Sequence, residues 1–298
     1  MGDIICTVPA ALELKKRHPG ATFIYNCNPD FTAVPKLARV ADRCTHFQHI
    51  GLVGYWYAFL FAGFYHFAHG DDRPGEISKD CMVAEFCEQF GIPVQQEHPR
   101  IEIGSEALER ARGLVRQSGL EPEELIIIHP GRSWPVKEWP MENWRELVSS
   151  LRRQGYTDIA QVGVGRYANF GDVDLAVVPG VVSWVDKLSL EDTFAVIALA
   201  KLHIGIDSGP LHIAVAVGTP AVGIFGMTLP NRCFSERISE SFVRSSVECR
   251  GCYHRLPRVD WVTSCPNDIR CMKTLSVDEV LGACLKALKA VPHSLQLS

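Results

Sequence analysis

The chain has 298 residues, 47% hydrophobic and 21% charged, which suits a folded globular protein with room for two domains and their cores. Its formal net charge of -4 excludes the global basic field that draws proteins onto nucleic acid, so nucleic acid is not an expected partner. Met1-Gly2-Asp3 does not read as a secretory signal, and the most hydrophobic window, Tyr55 to Ala68, contains His66 and is too short to span a bilayer. The 11 cysteines are mostly scattered singly, which without an export signal favours thiols over a disulfide framework and a cytoplasmic location.

Taken in chain order, short β-rich runs alternate with amphipathic helical stretches. Ala10 to His18 reads as helix, Thr22 to Asn26 as strand and Ser78 to Phe90 as helix. Lys15, Lys16 and Arg17 end the first helix, where cations suit the helix dipole; contact with an anionic membrane is the other reading. Tyr55 to Ala68 reads as a core helix or aromatic loop, with an interfacial surface as the alternative. Arg100 to Ile103 reads as a short strand and Ser105 to Ser118 as helix, and Gly119 to Glu124, with Pro122, supplies a linker.

A second series follows. Leu125 to His129, Asp158 to Val164, Leu202 to Asp207 and Ala221 to Phe225 read as strands. Met141 to Gln154, Leu190 to Ala200, Pro210 to Val217 and Val277 to Ala290 read as helices. Continuously apolar strands alternating with helices predict parallel sheets covered on both faces. Two such series predict two doubly wound domains, with ligands bound at the carboxyl ends of the strands.

Two strand ends carry candidate chemistry. The run Leu125 to His129 enters a turn, Pro130-Gly131, followed by Ser133, Lys137, Trp139 and Pro140. A strand, a glycine turn and a helix suit an anion, and Lys137 adds a point charge for a diphosphate; a solvated surface loop is the plain alternative. The second is Asp207-Ser208-Gly209-Pro210-Leu211-His212. Ser208 reads as an N-cap, Gly209 allows close backbone approach and Pro210 suits the first helical turn. Asp207 then offers a carboxylate to sugar hydroxyls beside His212, against the alternative of a capped junction without a ligand. Cys249, Cys252, Cys265 and Cys271 form a separate cluster, C-x2-C-x12-C-x5-C. Four thiols complete a tetrahedral set for a structural zinc, whereas unligated loop thiols are the other reading.

Asp207 to Ala214, followed by Gly218-Thr219-Pro220 and Phe225-Gly226, resembles the signature of glycosyltransferase family 9, the heptosyltransferases of lipopolysaccharide biosynthesis. His129-Pro130-Gly131 with Lys137-Glu138-Trp139-Pro140 resembles the family's second block, and Met1-Gly2-Asp3 with Pro9 its first. The resemblance implies a GT-B fold, an α/β architecture of two Rossmann-like domains facing a central cleft, with inverting transfer and no catalytic metal or cofactor. It implies Asp3 as general base and Lys137 on the donor phosphates. Asp207 and His212 are implied in the donor site, and the backbone near Leu188 beside an adenine. A glutamate that relatives often place on the ribose is missing from Gly163-Val164-Gly165-Arg166-Tyr167.

The resulting expectation is an N-terminal acceptor-binding domain over residues 1–121 and a C-terminal nucleotide-sugar domain over 122–298. The expected activity is transfer of heptose from ADP-heptose to a lipopolysaccharide-core or related glycan acceptor. The donor site comprises Ser133, Lys137, Leu188, Asp207, Ser208, Gly209 and His212. Location is expected in the cytoplasm, with peripheral contact at the inner face of the membrane. The rival expectations are a nucleotide-sugar-binding module without turnover and a GT-B nucleotide-sugar epimerase. Because the family's first strand precedes the Gly-Asp block, the N-terminal domain is also expected to lack that strand and the chain to be incomplete by roughly one strand of 5–6 residues.

Overall fold

Ile126, Ile127 and Ile128 carry no polar side chain to either face, and a strand of that kind is stable only when both faces are covered. In the computed structural model, which describes residues 1–46, 81–95, 98–131, 134–167, 171–172, 175–255 and 265–290, all three are fully buried. The readings made for Tyr55 to Ala68 and for Ser133 lie outside the described residues.

The N-terminal region starts with two helices, α1 (Gly2–Cys6) and α2 (Val8–Arg17). β1 (Ile24–Asn26) and β2 (Arg43–Thr45) pair in parallel, with α3 (Ala33–Leu37) between them in the chain. Then come α4 (Met82–Glu88) and α5 (Ser105–Gln117). The strand expected at Arg100 to Ile103 does not form. Ile101 N–H instead bonds to the Ala216 carbonyl at 2.8 Å, so the segment lies along a helix end and pairs with no strand among the described residues.

The four strands and four helices read in the second series form, most with ends shifted by a few residues, and two edge strands that were not read, Val182–Ser183 and Val243–Arg244, join them. The sheet is built from β3 (Ile126–His129), β4 (Ile159–Gln161), β7 (Val182–Ser183), β8 (Leu202–Ile206), β9 (Ala221–Phe225) and β10 (Val243–Arg244). Two short strands, β5 (Arg166–Tyr167) and β6 (Gly171–Asp172), pair separately. The sheet order is β10-β9-β8-β3-β4-β7, parallel throughout. Renumbered within the sheet, this is 3-2-1-4-5-6, the doubly wound order of dinucleotide-binding domains. The order reverses between β3 and β8, and a crevice opens at such a switch point.

Side-chain alternation divides the core between the two faces. Ile126, Ile128, Ile204, Ile206, Val222 and Ile224 point to one face, under α6 (Met141–Arg153) and α9 (Val277–Ala290). Trp144, Leu147, Val148 and Leu151 form the buried stripe of α6 at helical spacing. Each large apolar side chain so buried contributes about 1.5–3 kcal/mol. Ile127 and Ala160 point to the other face, against α7 (Leu190–Leu199) and α8 (Gly209–Val217). Ser189 caps α7 by accepting from Asp192 N–H at 3.0 Å, while α8 ends on Gly218 at φ +82°, a left-handed residue that glycine adopts without a Cβ penalty. α8 is apolar apart from His212, because the sheet lies below it, α1 packs across it and α7 runs beside it. Ile5, Val8, Ala11 and Val34 therefore join Ala111, Val115, Phe194 and Ala214 in one apolar cluster.

Candidate functional site

The carboxyl ends of β3 and β8 meet at the switch point, and the two sequence blocks meet with them. Beyond β3, Gly131 at φ +103° turns the chain into the loop that carries Lys137. Lys137 ends a 3-10 turn, Pro135–Lys137, and its Nζ lies 2.7 Å from Asp207 Oδ2, just past the end of β8. Both side chains are largely buried, at 15% and 7% exposure. His212, one turn into α8, brings Nε2 to 4.0 Å from the other Asp207 oxygen. Its Nδ1 lies 3.5 Å from Cys6 Sγ on α1, and Phe234 stacks on the ring at 4.4 Å.

These contacts set the charges. Burial alone would raise the Asp207 pKa; the Lys137 ammonium and His212, with hydrogen bonds from Lys137 and Thr228, outweigh it and hold the carboxyl at about 2. Burial also works against the Lys137 ammonium, yet the Asp207 carboxylate keeps its pKa above the ordinary lysine value. Burial pushes His212 below the ordinary histidine range despite Asp207 and Asp3, so at neutral pH it is an uncharged imidazole. Burial raises the Cys6 and Cys233 thiols, which stay protonated beside it.

Asp3 belongs to the same neighbourhood. It lies in the first turn of α1, on the exposed side, and its charge raises the pKa of both Lys137 and His212. The approach of α1 to α8 depends on small residues. A Cβ on Gly2 would stand 2.7 Å from the His212 ring, and one on Gly209 would overlap the Met1 side chain.

Ser208 corrects its sequence reading. It is the residue before α8, but its hydroxyl makes no cap bond. Ser208 Oγ instead lies 2.9 Å from Nδ1 of buried His129 and 3.2 Å from the Ile206 carbonyl oxygen. The first amides of α8 therefore have no side-chain cap, the condition under which a helix start receives an anion.

Leu188 lies elsewhere, beyond edge strand β7 and just ahead of α7. There Gly165 N–H donates to Asp186 Oδ1 at 2.8 Å, and Asp186 N–H to the Gly163 carbonyl at 3.0 Å. The segment after β4 and the segment before Leu188 thus form one joined rim.

Cys249, Cys252, Cys265 and Cys271, read as a structural-zinc set, lie close enough to act on one another's titration. Cys271 is buried in the core with Met272, its Sγ 2.8 Å from the position of a Cβ on Gly226. Cys252 and Cys265 pack instead around Val136 and Met227. Cys249 sits half-buried in a turn closed by Arg250 N–H on the Val247 carbonyl at 3.1 Å, and none of the four is in a disulfide among the described residues. The thiols sense one another electrostatically, and burial with their proximity pushes Cys271 up to about 11. Among the described residues, however, no group of three or more His, Cys, Asp or Glu side chains is placed to hold a metal ion. The basic trio ending α2 is taken up locally: Lys15 pairs with Asp42 at 2.9 Å, Lys16 with Glu13 at 2.6 Å, and Arg17 bonds the Gly91 carbonyl. No described helix is long and apolar enough to cross a membrane.

Sequence reasoning missed His129 as the partner of Ser208, and Cys6 and Phe234 as walls of His212. It also missed Trp134, whose ring lies under Lys137 Nζ at 4.5 Å. Only Trp134 had a local signal, since residues three apart eclipse in a 3-10 turn.

Comparison with known proteins agrees with this layout. The chain is 28% identical over 177 residues to lipopolysaccharide heptosyltransferase 1 of Pseudomonas aeruginosa, covering 50% of this chain and 48% of that protein. The chain spans about half the length, or less, of the curated relatives it matches. Two solved structures share its fold almost throughout. ADP-heptose lps heptosyltransferase II of Escherichia coli has a TM-score of 0.68 at 17% identity, covering 97% of this chain and 96% of that one. The iron-containing dodecameric glycosyltransferase TibC of enterotoxigenic E. coli has a TM-score of 0.71 at 17% identity, covering 98% and 74%. The fold is GT-B. The model of glycosyltransferase family 9 (heptosyltransferase) matches residues 38–261, and with three quarters of its length inside that match the chain belongs to this family.

Proposed function

We propose that this protein transfers heptose from ADP-heptose to a lipopolysaccharide-core or related glycan acceptor, with inversion and without a catalytic metal. The observation that carries the reading is the buried Lys137–Asp207 pair at the switch point, beside an α8 start that no side chain caps. Lys137 and the first α8 amides are the groups that receive the donor diphosphate, and Ser133 is assigned to the same phosphates. Gly209 leaves the backbone open to that approach. Asp207 and His212 face the sugar, and the rim near Leu188 takes the adenine. Residues 122–298 hold the donor and residues 1–121 the acceptor, at a cytoplasmic site with peripheral contact at the inner membrane face.

In the reaction an acceptor hydroxyl attacks the anomeric carbon from the face opposite the phosphate. The new C–O bond forms as the bond to the β-phosphate oxygen breaks, and ADP leaves with the electron pair. Asp3 accepts the hydroxyl proton. The leaving diphosphate gathers charge as the anomeric centre takes on oxocarbenium character, and the Lys137 ammonium with the helix amides stabilises that charge in place of a metal ion. His212, uncharged at neutral pH, offers hydrogen bonds without adding charge beside Lys137.

The test is incubation of the full chain with ADP-heptose and a heptose-free lipopolysaccharide core acceptor, with and without EDTA. Heptosylated product of the opposite anomeric configuration, formed at the same rate with EDTA, is expected. ADP release without glycan product, or turnover that returns only on adding magnesium or manganese, rejects the reading.

A further inference from the structure

The Lys137 ammonium is held from two sides. Asp207 approaches at 2.7 Å, and the Trp134 ring supports it from 4.5 Å. Lys137 N–H donates to the Trp134 carbonyl at 2.9 Å, closing the 3-10 turn that eclipses the two side chains. The indole is itself braced. Tyr253 meets it with ring centroids 5.4 Å apart at 59°. Tyr253 lies in a 3-10 turn, Cys252–His254, fastened to the chain just beyond β9. Gly251 N–H donates to the Gly226 carbonyl at 2.9 Å, Tyr253 N–H to the Met227 carbonyl at 3.1 Å, and Leu229 N–H to His254 Nδ1 at 3.1 Å. Val136 and Met227 fill the space between, packed with Trp134, Cys252, Tyr253 and Cys265.

We propose that Trp134 and Tyr253 are positioning residues for Lys137: the indole face and the Asp207 carboxylate fix the ammonium between them, and Tyr253 fixes the indole. Indole is the strongest of the side-chain π faces for a cation. A lysine stem has four rotatable bonds, so a lysine aimed at developing charge needs such a constraint. The cysteine-bearing segment thereby acquires a role: it braces the lysine of the donor site. The proposal rests on the reading of Lys137 as the phosphate-facing lysine, and the following experiment separates the two. The charged and titratable groups that also bear on Lys137 are Asp207, His212, Asp3 and Cys233, and none of them is altered in it.

The experiment is competitive acetylation of the full chain with acetic anhydride at pH 8, read by mass spectrometry at Lys137 against exposed Lys289, with and without ADP. Trp134→Leu is expected to raise the Lys137 rate about tenfold, equivalent to about 1.4 kcal/mol. Tyr253→Leu raises it severalfold with Trp134 still present, and Trp134→Phe stays near the parent rate. In steady-state assays Trp134→Leu lowers kcat more than it raises the donor KM, and Trp134→Phe restores kcat. Lys137 reactivity at the parent value in both leucine variants overturns the proposal, whatever their melting temperatures. Should Trp134→Leu fail to fold, Tyr253→Leu decides alone. A Lys137 that responds to Trp134 but gains no protection from ADP upholds the positioning role and rejects the phosphate reading.

Discussion

Replacing Lys137 with methionine would keep most of the side chain's volume and strand the Asp207 carboxylate in a buried site, with uncharged His212 as its neighbour. Holding Asp207 at about 2 instead of its ordinary 3.8 corresponds to on the order of 2–3 kcal/mol at neutral pH. Breaking a buried pair from one side typically costs about 3–5 kcal/mol, because the remaining charge loses its compensation. The loss at pH 7 should therefore be about 3 kcal/mol or more, or roughly 10 °C in Tm for a chain of this size. The sign of the pH dependence follows from the pair. In the parent the folded-state value is depressed, so the contribution is complete above pH 3.8 and is lost as the pH falls towards 2. In Lys137→Met burial raises the Asp207 pKa instead, the folded state takes up a proton earlier, and the gap between the two proteins narrows as the pH drops. Urea unfolding followed by tryptophan fluorescence at pH 7 and pH 4.5 measures both quantities. The double variant Lys137→Met/Asp207→Leu, with neither charge present, should regain most of the stability and remain inactive. A single variant as stable as the parent at pH 7, or a gap that does not change with pH, would show that the pair does not carry the charge balance described.

Four further outcomes are expected. Lys137→Ala should lose about 2.7–4 kcal/mol of transition-state stabilisation, mainly in kcat, and Asp3→Asn should abolish turnover while sparing donor binding; steady-state kinetics with an unchanged kcat would remove either residue from the mechanism. His203, fully buried on β8 with neither ring nitrogen hydrogen-bonded among the described residues, is held at about 3 by burial, and His129 at about 4. The unfolded chain binds protons below pH 6.5 that the fold refuses, so stability is full above that value and falls towards pH 3–4. His203→Leu should add about 1–3 kcal/mol at pH 7 by removing unpartnered polar groups, and should flatten the acid limb by about 1.4 kcal/mol per pH unit; a parent-like pH profile in that variant would contradict the assignment. Gly131→Ala should destabilise the fold and shift the Lys137 loop, because its φ of +103° disfavours a side chain and a Cβ would overlap Ile206; unchanged unfolding and unchanged donor affinity would count against that account.

Much of this architecture was legible before any coordinates. Ala221 to Phe225 forms a strand within the bounds read from sequence, and Leu190, Met141 and Ser105 each open the helix expected of them. These elements announce themselves locally, through apolar periodicity, a capping serine or a breaking proline. Arg100 to Ile103 failed because its apolar character serves a contact with the end of α8, and no local pattern distinguishes that from a strand. Ser208 failed as a cap because a serine preceding a helix has two available partners, the helix amides and whatever the neighbouring strand presents. Here that neighbour is His129, 79 residues earlier in the chain.

The sequence by itself determined which residues carry chemistry and which elements end beside them: Lys137 after a glycine turn, Asp207 at a strand end, His212 one turn into a helix. Only the tertiary structure decided who meets whom. The order β4-β3-β8-β9 places the ends of two strands side by side although 70 residues separate Lys137 from Asp207 and 206 separate Cys6 from His212. That adjacency comes from long crossover connections that bury both faces of the sheet at once. Burial then sets the charges, keeping Lys137 and Asp207 ionised as a pair and His212 neutral. A side chain's position in sequence does not encode its distance from water or from a partner, which is why these protonation states follow from the folded arrangement alone.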